Sequence, residues 1–374
     1  MRILFCCGEN LETKEYSSHE SFIRAFKDLG HDVVSCGPIL GIFEGELNGS
    51  LRDIKLHDKR THPETWTYDE ILDKVDKKPD LIIQTDPSFY LVGDKPKNIL
   101  SAYYIVDAHR GASVSRRMAL AGSFDFIFVG HKYFIPHYER VGLNCFWLPR
   151  AFDDTYIKEY NDIDVECDIS FSGENGLHEN INKFNMYDEK IGLIYHTGRY
   201  PIVSPENRYR SWDNHSMEYA ERAEILYRLS ADFNVRVYRN TPNSRGPNYS
   251  KIINRAKIIV NHSLWKDSAL RNFEVLASNR FLISDMIPFQ DELLIDKMHY
   301  RSFNQSFSPY LENFNLEYEE IKELVEYYLN NEEERKEITQ IGRDFVFKYH
   351  TFKNRAQTVI DTINGSAYGY IRQF

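Results

Sequence analysis

The chain has 374 residues, which is more than a single hydrophobic core usually supports, so two domains are expected. Its residues are 42% hydrophobic, 27% charged and 14% aromatic, a composition typical of folded globular proteins that argues against pervasive disorder. The formal net charge of -10 at pH 7 provides no general attraction to nucleic acid or to anionic lipid.

The first residues of the chain and the cysteines indicate in which cellular compartment the protein is expected. Residues 1–10, "MRILFCCGEN", contain an apolar run that is too short for a signal peptide or a membrane span. The five cysteines are odd in number and form no C-x-x-C pair, so neither a disulfide framework nor a zinc site is indicated. We therefore expect a cytoplasmic protein without an integral membrane segment.

The N-terminal half alternates strand and helix patterns. "RILFCC" predicts a buried strand, "HESFIRAFKDLG" an amphipathic helix that ends at Gly30, and "HDVVSCG" the next strand. Apolar runs follow at "DLIIQTD" (80–86), "SAYYIVD" (101–107) and "FDFIFVG" (124–130). This alternation predicts a doubly wound α/β domain with a parallel sheet.

Near residue 150 the pattern restarts and indicates a second Rossmann-like domain. "CDISFSG" is typical of a new first strand, and "VRVYR", "AKIIVNHS" and "RFLISD" predict further strands, with a helix over "MEYAERAEILYRLSADF". Asn279 is expected to stop the helix before "RFLISD", because asparagine tolerates positive φ. We expect an N-terminal domain over 1–155, a C-terminal domain over 156–345, and a final helix over 346–374 that packs back on the first domain.

Candidate ligand-binding residues follow strands, since ligands of such sheets bind beyond the carboxyl ends of the strands. The segments are "GEN" (8–10), "DAHRG" (107–111) and "HSLWKDSALRNFE" (262–274), of which the third opens a helix whose N-terminus favours phosphate. Arg271 and Glu274 are three apart and so lie on adjacent turns of one helix face. They either bind a phosphorylated ligand or form an exposed salt bridge that adds little stability.

Several stretches resemble a known family. "INRAKIIVNHSLWKDSALRNFEVLASNRFLISD" and "YHTFKNRAQTVIDTI", with "LGHDVV" and "VGLNCFWLPRAFDDTYI", are similar to GT-B glycosyltransferases of the group-1 clan, most closely the spore-maturation-protein-like (CgeB-like) group. The resemblance implies an α/β protein of the GT-B fold. In that fold two Rossmann-like domains face each other across a cleft, and the C-terminal helix crosses back to the N-terminal domain.

The resemblance also implies a donor site in the second domain. Glu274 would accept hydrogen bonds from the ribose hydroxyls of a nucleotide sugar, and Arg271 would neutralise the diphosphate as leaving-group charge develops, without a metal. Lys266 stands where many retaining relatives have the first glutamate of a Glu-x7-Glu pattern, and would add a phosphate contact. This departure leaves retaining and inverting stereochemistry both open. The remaining donor-side candidates are Asn272, Ser268 and Gly173, the last in the turn "SGENG" (172–176), which equally fits an ordinary tight turn.

The acceptor side is expected in the first domain. Asp107 would be the base of an inverting mechanism, whereas His109 would contact the donor sugar in a retaining one. The alternative is that both residues only cap the helix that follows. Further acceptor-side candidates are Glu9, Asn10 and Arg110. For the arginine, a solvated surface position is favoured over contact with a phosphate-bearing acceptor.

The resemblance implies a metal-independent hexosyltransferase that uses a nucleotide-diphosphate sugar as donor substrate and needs no cofactor. The acceptor stays open between a glycan, a protein, a metabolite and, against the acidic net charge, a nucleic-acid base. Two other functions fit the same two-domain architecture. One is a nonhydrolysing sugar-nucleotide epimerase, and the other is a catalytically inactive nucleotide-sugar binding protein.

Overall fold

The computed structural model describes most of the chain as two compact units. The described residues are 1–10, 16–40, 50–56, 65–85, 89–106, 108, 119, 122–173, 185–188, 193–196, 222, 225–226, 228–238, 245–263, 268–304 and 311–365. Unit 1 comprises Met1–Ala151 and Thr351–Phe374, and unit 2 comprises Phe152–His350.

Unit 1 is built on a parallel sheet with the strand order β10-β9-β8-β6-β1-β3-β2, in which β4 also pairs with β3. A separate pair, β5 and β7, lies outside this sheet. The strands are β1 (Arg2–Cys6), β2 (Glu9–Asn10), β3 (Asp32–Leu40), β4 (Ile54–Leu56), β5 (Thr65–Thr67), β6 (Leu81–Thr85), β7 (Tyr90–Val92), β8 (Leu100–Ile105), β9 (Phe126–Val129) and β10 (Cys145–Trp147). The helices are α1 (Ser18–Asp28), α2 (Tyr68–Leu72), a short 3-10 turn (Lys132–Phe134) and α3 (Ile135–Glu139), joined by α8 (Phe352–Ile363) from the end of the chain.

The core of unit 1 follows from the alternation of side chains along β1. Ile3 and Phe5 face a cluster that includes Phe22 and Phe26 of α1, whereas Leu4 and Cys6 belong to the cluster on the other side of the sheet. The helix α1 begins where the Ser17 hydroxyl accepts a hydrogen bond from the Glu20 backbone N–H. Both faces of this sheet are therefore buried, as its near-continuous apolar strands predict.

Unit 2 is built on a second sheet with the order β12-β13-β14-β11-β15-β16-β17. The neighbours from β14 to β17 run parallel, and β12 and β13 run antiparallel at one edge. The strands are β11 (Cys167–Ser172), β12 (Asn185–Asp188), β13 (Leu193–His196), β14 (Val235–Tyr238), β15 (Ala256–Asn261), β16 (Phe281–Asp285) and β17 (Arg301–Phe303). The helices are α4 (Gly246–Asn254), α5 (Leu270–Ala277), a 3-10 turn (Gln290–Glu292), α6 (Leu311–Asn330) and α7 (Glu332–Tyr349).

The core of unit 2 places α6 and α7 against one face of its sheet. Ile258 and Ile283 pack in one cluster with Ile321 and Val325 of α6 and with Ile338 of α7. These apolar positions recur at helical spacing, which is why this stretch forms amphipathic helices with a charged outer face.

The predicted strands of both halves are observed where the sequence places them, and so is the helix stop before "RFLISD". Asn279 has φ 54, in the left-handed region that asparagine tolerates. The predicted helix over "MEYAERAEILYRLSADF" (217–233) lies partly outside the described residues, and residues 228–232 of it are helical. In the described ranges no helix combines the length and apolarity that a membrane crossing requires.

The last helix, α8, packs into the core of unit 1, as the fold inferred from the resemblance requires. Ala356 and Val359 join the cluster of Phe22, and the rings of Phe22 and Phe352 lie 5.8 Å apart between centroids. The helix begins with a capping box between Thr351 and Asn354. A segment from the far end of the chain thereby completes the hydrophobic core of the first unit.

A buried arginine ties α8 to the segment that ends the first part of unit 1. The Nε–H of Arg355 donates to the Pro149 carbonyl at 2.7 Å, and its Nη2 donates to the Arg150 carbonyl at 3.1 Å. Burial lowers the pKa of Arg355 to about 10, so the guanidinium still carries its charge at neutral pH. The two carbonyls are the compensation that a buried cation needs.

We expect Arg355→Met to lower the free energy of unfolding of unit 1 by about 1–3 kcal/mol, because two buried carbonyls lose their donor. The measurement is the shift of the thermal unfolding transition against wild type. Lys353→Met is the matched control, since Lys353 is exposed on the same helix. Equal shifts for the two variants would contradict the structural role of Arg355.

Candidate functional site

The carboxyl ends of β11, β15 and β16 meet the start of α5 at one edge of the second sheet. β11 ends at Ser172, β15 at Asn261 and β16 at Asp285, and α5 begins at Leu270. β15 pairs with β11 on one side and with β16 on the other, so these ends are neighbours. This is the edge at which ligands of parallel α/β sheets bind.

Arg271 joins the ends of two of these strands. Its Nη1 donates to Asn261 Oδ1 at 2.7 Å, and its Nη2 donates to the Ser172 carbonyl at 2.6 Å. The guanidinium lies over the ring of Phe171, 4.3 Å from its centroid. Its buried Nε–H has no hydrogen-bond partner within the described ranges. The side chain is half-buried, which differs from the exposed salt bridge that was the alternative interpretation.

Gly173 follows β11 directly and leaves room for this guanidinium. A Cβ atom added at Gly173 would lie 2.4 Å from Arg271 Nη2, and the glycine has φ 140. Two independent reasons therefore favour glycine at this position: the backbone conformation and the close approach of the arginine. Gly173 and Arg271, which the sequence analysis both predicts as donor-binding residues, therefore lie next to each other.

Glu274 lies one turn further along α5 and is half-buried. Tyr249, on α4, lies near both side chains, since the charges of Glu274 and Arg271 both act on the pKa of its phenol. Burial, followed by the negative charge of Glu274, raises the pKa of Tyr249, so its hydroxyl keeps its proton. We call Arg271, Tyr249 and Glu274 the site trio.

Asn272 and Ser268, two further donor-side candidates, are both buried. Asn272 is 0% exposed, and its Oδ1 accepts from Asn261 Nδ2 at 3.0 Å and from Ser284 Oγ at 3.3 Å. Its Nδ2 and the Ser268 Oγ have no hydrogen-bond partner among the residues that the structure describes. Asn272 thus holds β15, β16 and α5 together, and its contact with a donor stays a prediction, as does that of Ser268.

Asp285, the last residue of β16, belongs to the same polar network. The carboxyl group is fully buried, and its Oδ1 accepts from the Ser263 backbone N–H at 2.9 Å and from Ser284 Oγ at 3.3 Å. Burial raises the pKa of Asp285, and the neighbouring His262 and the hydrogen bonds of Ser263 oppose that rise in part. The other oxygen, Oδ2, is buried and has no hydrogen-bond partner among the residues that the structure describes.

A second buried polar group lies next in sequence to this network. His262 Nε2 is 3.1 Å from Glu317 Oε1 on α6, and both side chains are almost fully buried. The carbonyl of His262 accepts from the Arg222 Nε–H at 2.9 Å. These contacts hold His262 in place directly after β15.

The remaining predicted site residues fall largely outside the described ranges. Asp107, His109, Arg110 and Lys266 lie outside them. Glu9 and Asn10 form β2, which pairs in parallel with Ile39 and Leu40, and only their backbone is described. The roles of these six residues stay predictions. Within the described ranges, no group of three or more His, Cys, Asp or Glu side chains could hold a metal ion; metal independence likewise stays a prediction.

The sequence analysis missed Tyr249 and Asp285. Asp285 ends the predicted strand "RFLISD", so the rule that ligands bind beyond strand ends could have found it. Tyr249 lies within the helix "GPNYSKIIN", where no motif or spacing relates it to Glu274. Only the tertiary structure brings α4, which contacts β11 and β15, near the start of α5.

The comparisons with known proteins bear on the fold and on the second half of the chain. Residues 197–361 match the family model described as glycosyl transferase-like. No curated protein matches the sequence. Sucrose-phosphate synthase from Thermosynechococcus elongatus is similar in structure, with a TM-score of 0.56 and 9% identity over 97% of this chain and 98% of that one.

Two further solved structures are similar over almost their whole length. HepE of Anabaena, in complex with UDP and glucose, has a TM-score of 0.57 and 8% identity over 98% of this chain and 100% of HepE. The N-terminal domain of trehalose-6-phosphate phosphatase from Candida albicans has a TM-score of 0.59 and 12% identity, over 98% and 97% of the two chains. The fold is GT-B. The predicted fold class is thus confirmed, while the assignment to the CgeB-like group stays a prediction.

In this GT-B chain we expect Gly173→Ala to displace the Arg271 guanidinium and to destabilise unit 2 by about 1–3 kcal/mol, since a Cβ both clashes and strains the backbone. Gly142→Ala is the control, because Gly142 has φ 83 and no atom within 4 Å of an added Cβ. Thermal unfolding of both variants is the measurement. A shift for Gly173→Ala no larger than that of the control would show that the arginine does not need this space.

We expect Asp285→Asn to flatten the pH dependence of stability. The folded pKa of Asp285 is raised above its unfolded value of 3.8, so the unfolded chain releases a proton that the folded chain retains. Its contribution to stability is therefore complete below the unfolded pKa. It decreases by about 1.4 kcal/mol per pH unit as the pH rises from there to the folded pKa.

The difference in unfolding free energy between wild type and Asp285→Asn should accordingly decrease as the pH rises above about 4. Urea unfolding at a series of pH values measures it, with Asp291→Asn, an exposed carboxylate of the same segment, as the control. A difference that does not change with pH would mean that Asp285 is ionised in the folded state.

Proposed function

We propose that the chain transfers a sugar from a nucleotide-diphosphate-sugar donor to an acceptor, with the donor held by unit 2. The observation that carries the proposal is Arg271. A guanidinium fixed between the ends of β11 and β15, with its buried Nε–H lacking a partner among the described residues, is arranged as an anion site at the start of a helix. The glycosyl transferase-like match over 197–361 includes this segment.

The site trio suits the two ends of a nucleoside diphosphate. Arg271 would neutralise the diphosphate, where negative charge develops as the glycosidic bond breaks. A guanidinium that is already held in place stabilises this charge without having to reorganise. Glu274 would accept hydrogen bonds from the ribose hydroxyls, because a carboxylate offers several acceptor positions. The glycosyl transferase-like match supports this function over the epimerase and the inactive binding protein.

The other parts of the proposal concern residues whose side chains lie outside the described ranges. Lys266 would add a phosphate contact, and Asp107 or His109 would act on the acceptor side. Glu9, Asn10 and Arg110 would line the acceptor. We further propose a hexosyltransferase of the CgeB-like group that uses no metal or cofactor and works in the cytoplasm.

Uridine diphosphate is the first donor nucleotide to test, because the similar structure of HepE contains UDP and glucose. At 100 times its dissociation constant a bound nucleotide should stabilise the folded chain by roughly 2.7 kcal/mol. A thermal-shift screen with UDP, ADP, GDP and UDP-glucose measures this stabilisation. No shift with any nucleotide would overturn the proposal.

The variants Arg271→Met and Glu274→Ala should each weaken binding of the responsive nucleotide by about tenfold or more, because each removes charge-assisted hydrogen bonds to it. Isothermal titration calorimetry gives the dissociation constants. Donor hydrolysis without an added acceptor, followed by release of the nucleoside diphosphate, should decrease in the same variants.

The chain contains a matched control for these variants. On the other side of unit 2, Arg301 Nη1 donates to the Tyr328 hydroxyl at 3.0 Å, and that hydroxyl donates to Glu334 Oε1 at 3.2 Å. Tyr328 packs on Phe281 at the amino end of β16, away from the strand ends of the site. We call Arg301, Tyr328 and Glu334 the control trio. Arg301→Met and Glu334→Ala should leave nucleotide affinity unchanged.

A further inference from the structure

Residues 286–289 follow β16 directly, at the same edge of the second sheet as the candidate site. Three of these four residues are apolar and exposed. Met286 and Phe289 have 52% and 38% of their surface accessible, and the exposed Pro288 lies between them in sequence. We call this stretch the 286–289 segment. None of the residues assigned to the donor belongs to it.

The segment is held in place at both ends, so a fixed backbone presents its exposed side chains. The Met286 N–H donates to the carbonyl of Phe303, the last residue of β17, at 2.8 Å. Ile287 is buried, and in the 3-10 turn that follows the Leu294 N–H donates to the Gln290 carbonyl at 2.8 Å. An exposed apolar stretch on such a support keeps one shape for a ligand.

Phe289 adopts a backbone conformation that its residue type disfavours. It has φ 67 and ψ 11, in the left-handed region, where a Cβ atom costs free energy and where glycine or asparagine is the usual residue. The same unit has an asparagine, Asn279, at another position of this kind. An exposed aromatic side chain that is retained in spite of this cost favours a role in binding over a role in packing.

Buried polar atoms lie immediately before and after the segment. They are Oδ2 of Asp285 and both amide atoms of Gln290, and none of the three has a hydrogen-bond partner among the residues that the structure describes. Such atoms cost free energy until a partner reaches them, and a hydroxyl group can serve as donor or as acceptor. A ligand that suits both features has an apolar face with hydroxyl groups around its edge. This is the chemistry of a sugar ring.

The position of the segment relative to Arg271 indicates which part of the donor reaches it. The guanidinium bonds the ends of β11 and β15, where the proposed diphosphate lies. The helix α4, whose Tyr249 lies near Glu274, packs on β11 and β15, so the proposed ribose contact is on the β11 side. β16 is the neighbour of β15 on the opposite side, about 5 Å away. The transferred sugar is the group on the far side of the diphosphate from the ribose.

We propose that the 286–289 segment holds the transferred sugar of the donor, with the ring of Phe289 against the apolar C–H face of a pyranose. The inference rests on the proposed function, because the diphosphate held by Arg271 sets where the sugar lies. It deepens that function by assigning the sugar end of the donor to residues beyond the end of β16. Met286 extends the apolar surface on which the sugar rests.

The experiment measures dissociation constants by isothermal titration calorimetry for UDP and UDP-glucose, ADP and ADP-glucose, and GDP and GDP-mannose. Phe289→Leu removes the aromatic face but keeps an apolar side chain at the same backbone position. We expect this variant to bind the sugar nucleotide that wild type prefers about threefold to tenfold more weakly, which is the size of one aromatic contact. Its affinity for the free nucleotide should be unchanged.

Matched variants separate a sugar contact from a general effect on the fold. Phe289→Tyr retains the ring and should retain the wild-type affinity for the sugar nucleotide. Lys297, with φ 65, and Met298, which is 47% exposed, belong to the same connection but precede β17 and so lie toward its amino end. Lys297→Leu and Met298→Ser should leave both dissociation constants unchanged, whereas Met286→Ser should weaken binding of the sugar nucleotide alone.

Each outcome decides the question. Weaker binding of the sugar nucleotide in Phe289→Leu, with the free nucleotide and the variants at the amino end unchanged, supports the inference. Unchanged binding of every sugar nucleotide overturns it and leaves the proposed function standing, and a raised KM for a sugar acceptor in that case assigns the segment to the acceptor. Equal weakening of free and sugar nucleotides shows a structural role and overturns it too. Absence of binding by every nucleotide in wild type overturns the proposed function together with this inference.

Discussion

The hydrogen bonds of the Arg271 guanidinium are the interaction on which the candidate site depends. They tie the last carbonyl of β11 to Asn261 at the end of β15, although the arginine itself belongs to α5. A planar guanidinium with five donors can make such contacts and still offer an N–H to a ligand, which a lysine could not do in the same geometry. The absence of a side chain at Gly173 is the complement that this arrangement requires.

The polar residues behind this arginine form a buried network rather than a solvated surface. Asn261, Asn272 and Ser284 bond one another without exposure, and Asp285 closes the network with its carboxyl group. Networks of this kind hold one geometry, because any member left unpaired in the interior costs free energy. We infer that the network fixes the position of α5, and with it the spacing of Arg271 and Glu274 relative to the strand ends.

The site trio and the control trio contain the same three residue types, an arginine, a tyrosine and a glutamate, but lie at different places in unit 2. In the control trio Tyr328 is fully buried at the amino end of the sheet, where it joins α6 to β17 and α7. The site trio lies at the carboxyl ends of the strands, where the fold leaves room for ligands. The location in the sheet, and not the set of residue types, distinguishes a structural cluster from a candidate binding site. Fold likeness alone would not make this distinction.

The sequence by itself determined the α/β class, the positions of the main strands along the chain and the stop at Asn279, and it predicted a donor site around Arg271 and Glu274. These features rest on local periodicity and on residues close in the chain, which a linear pattern records. Only the tertiary structure decided that Tyr249 lies near Glu274 and that Asp285 is buried. Both depend on the packing of elements that are distant in sequence, and a local sequence pattern does not record such contacts.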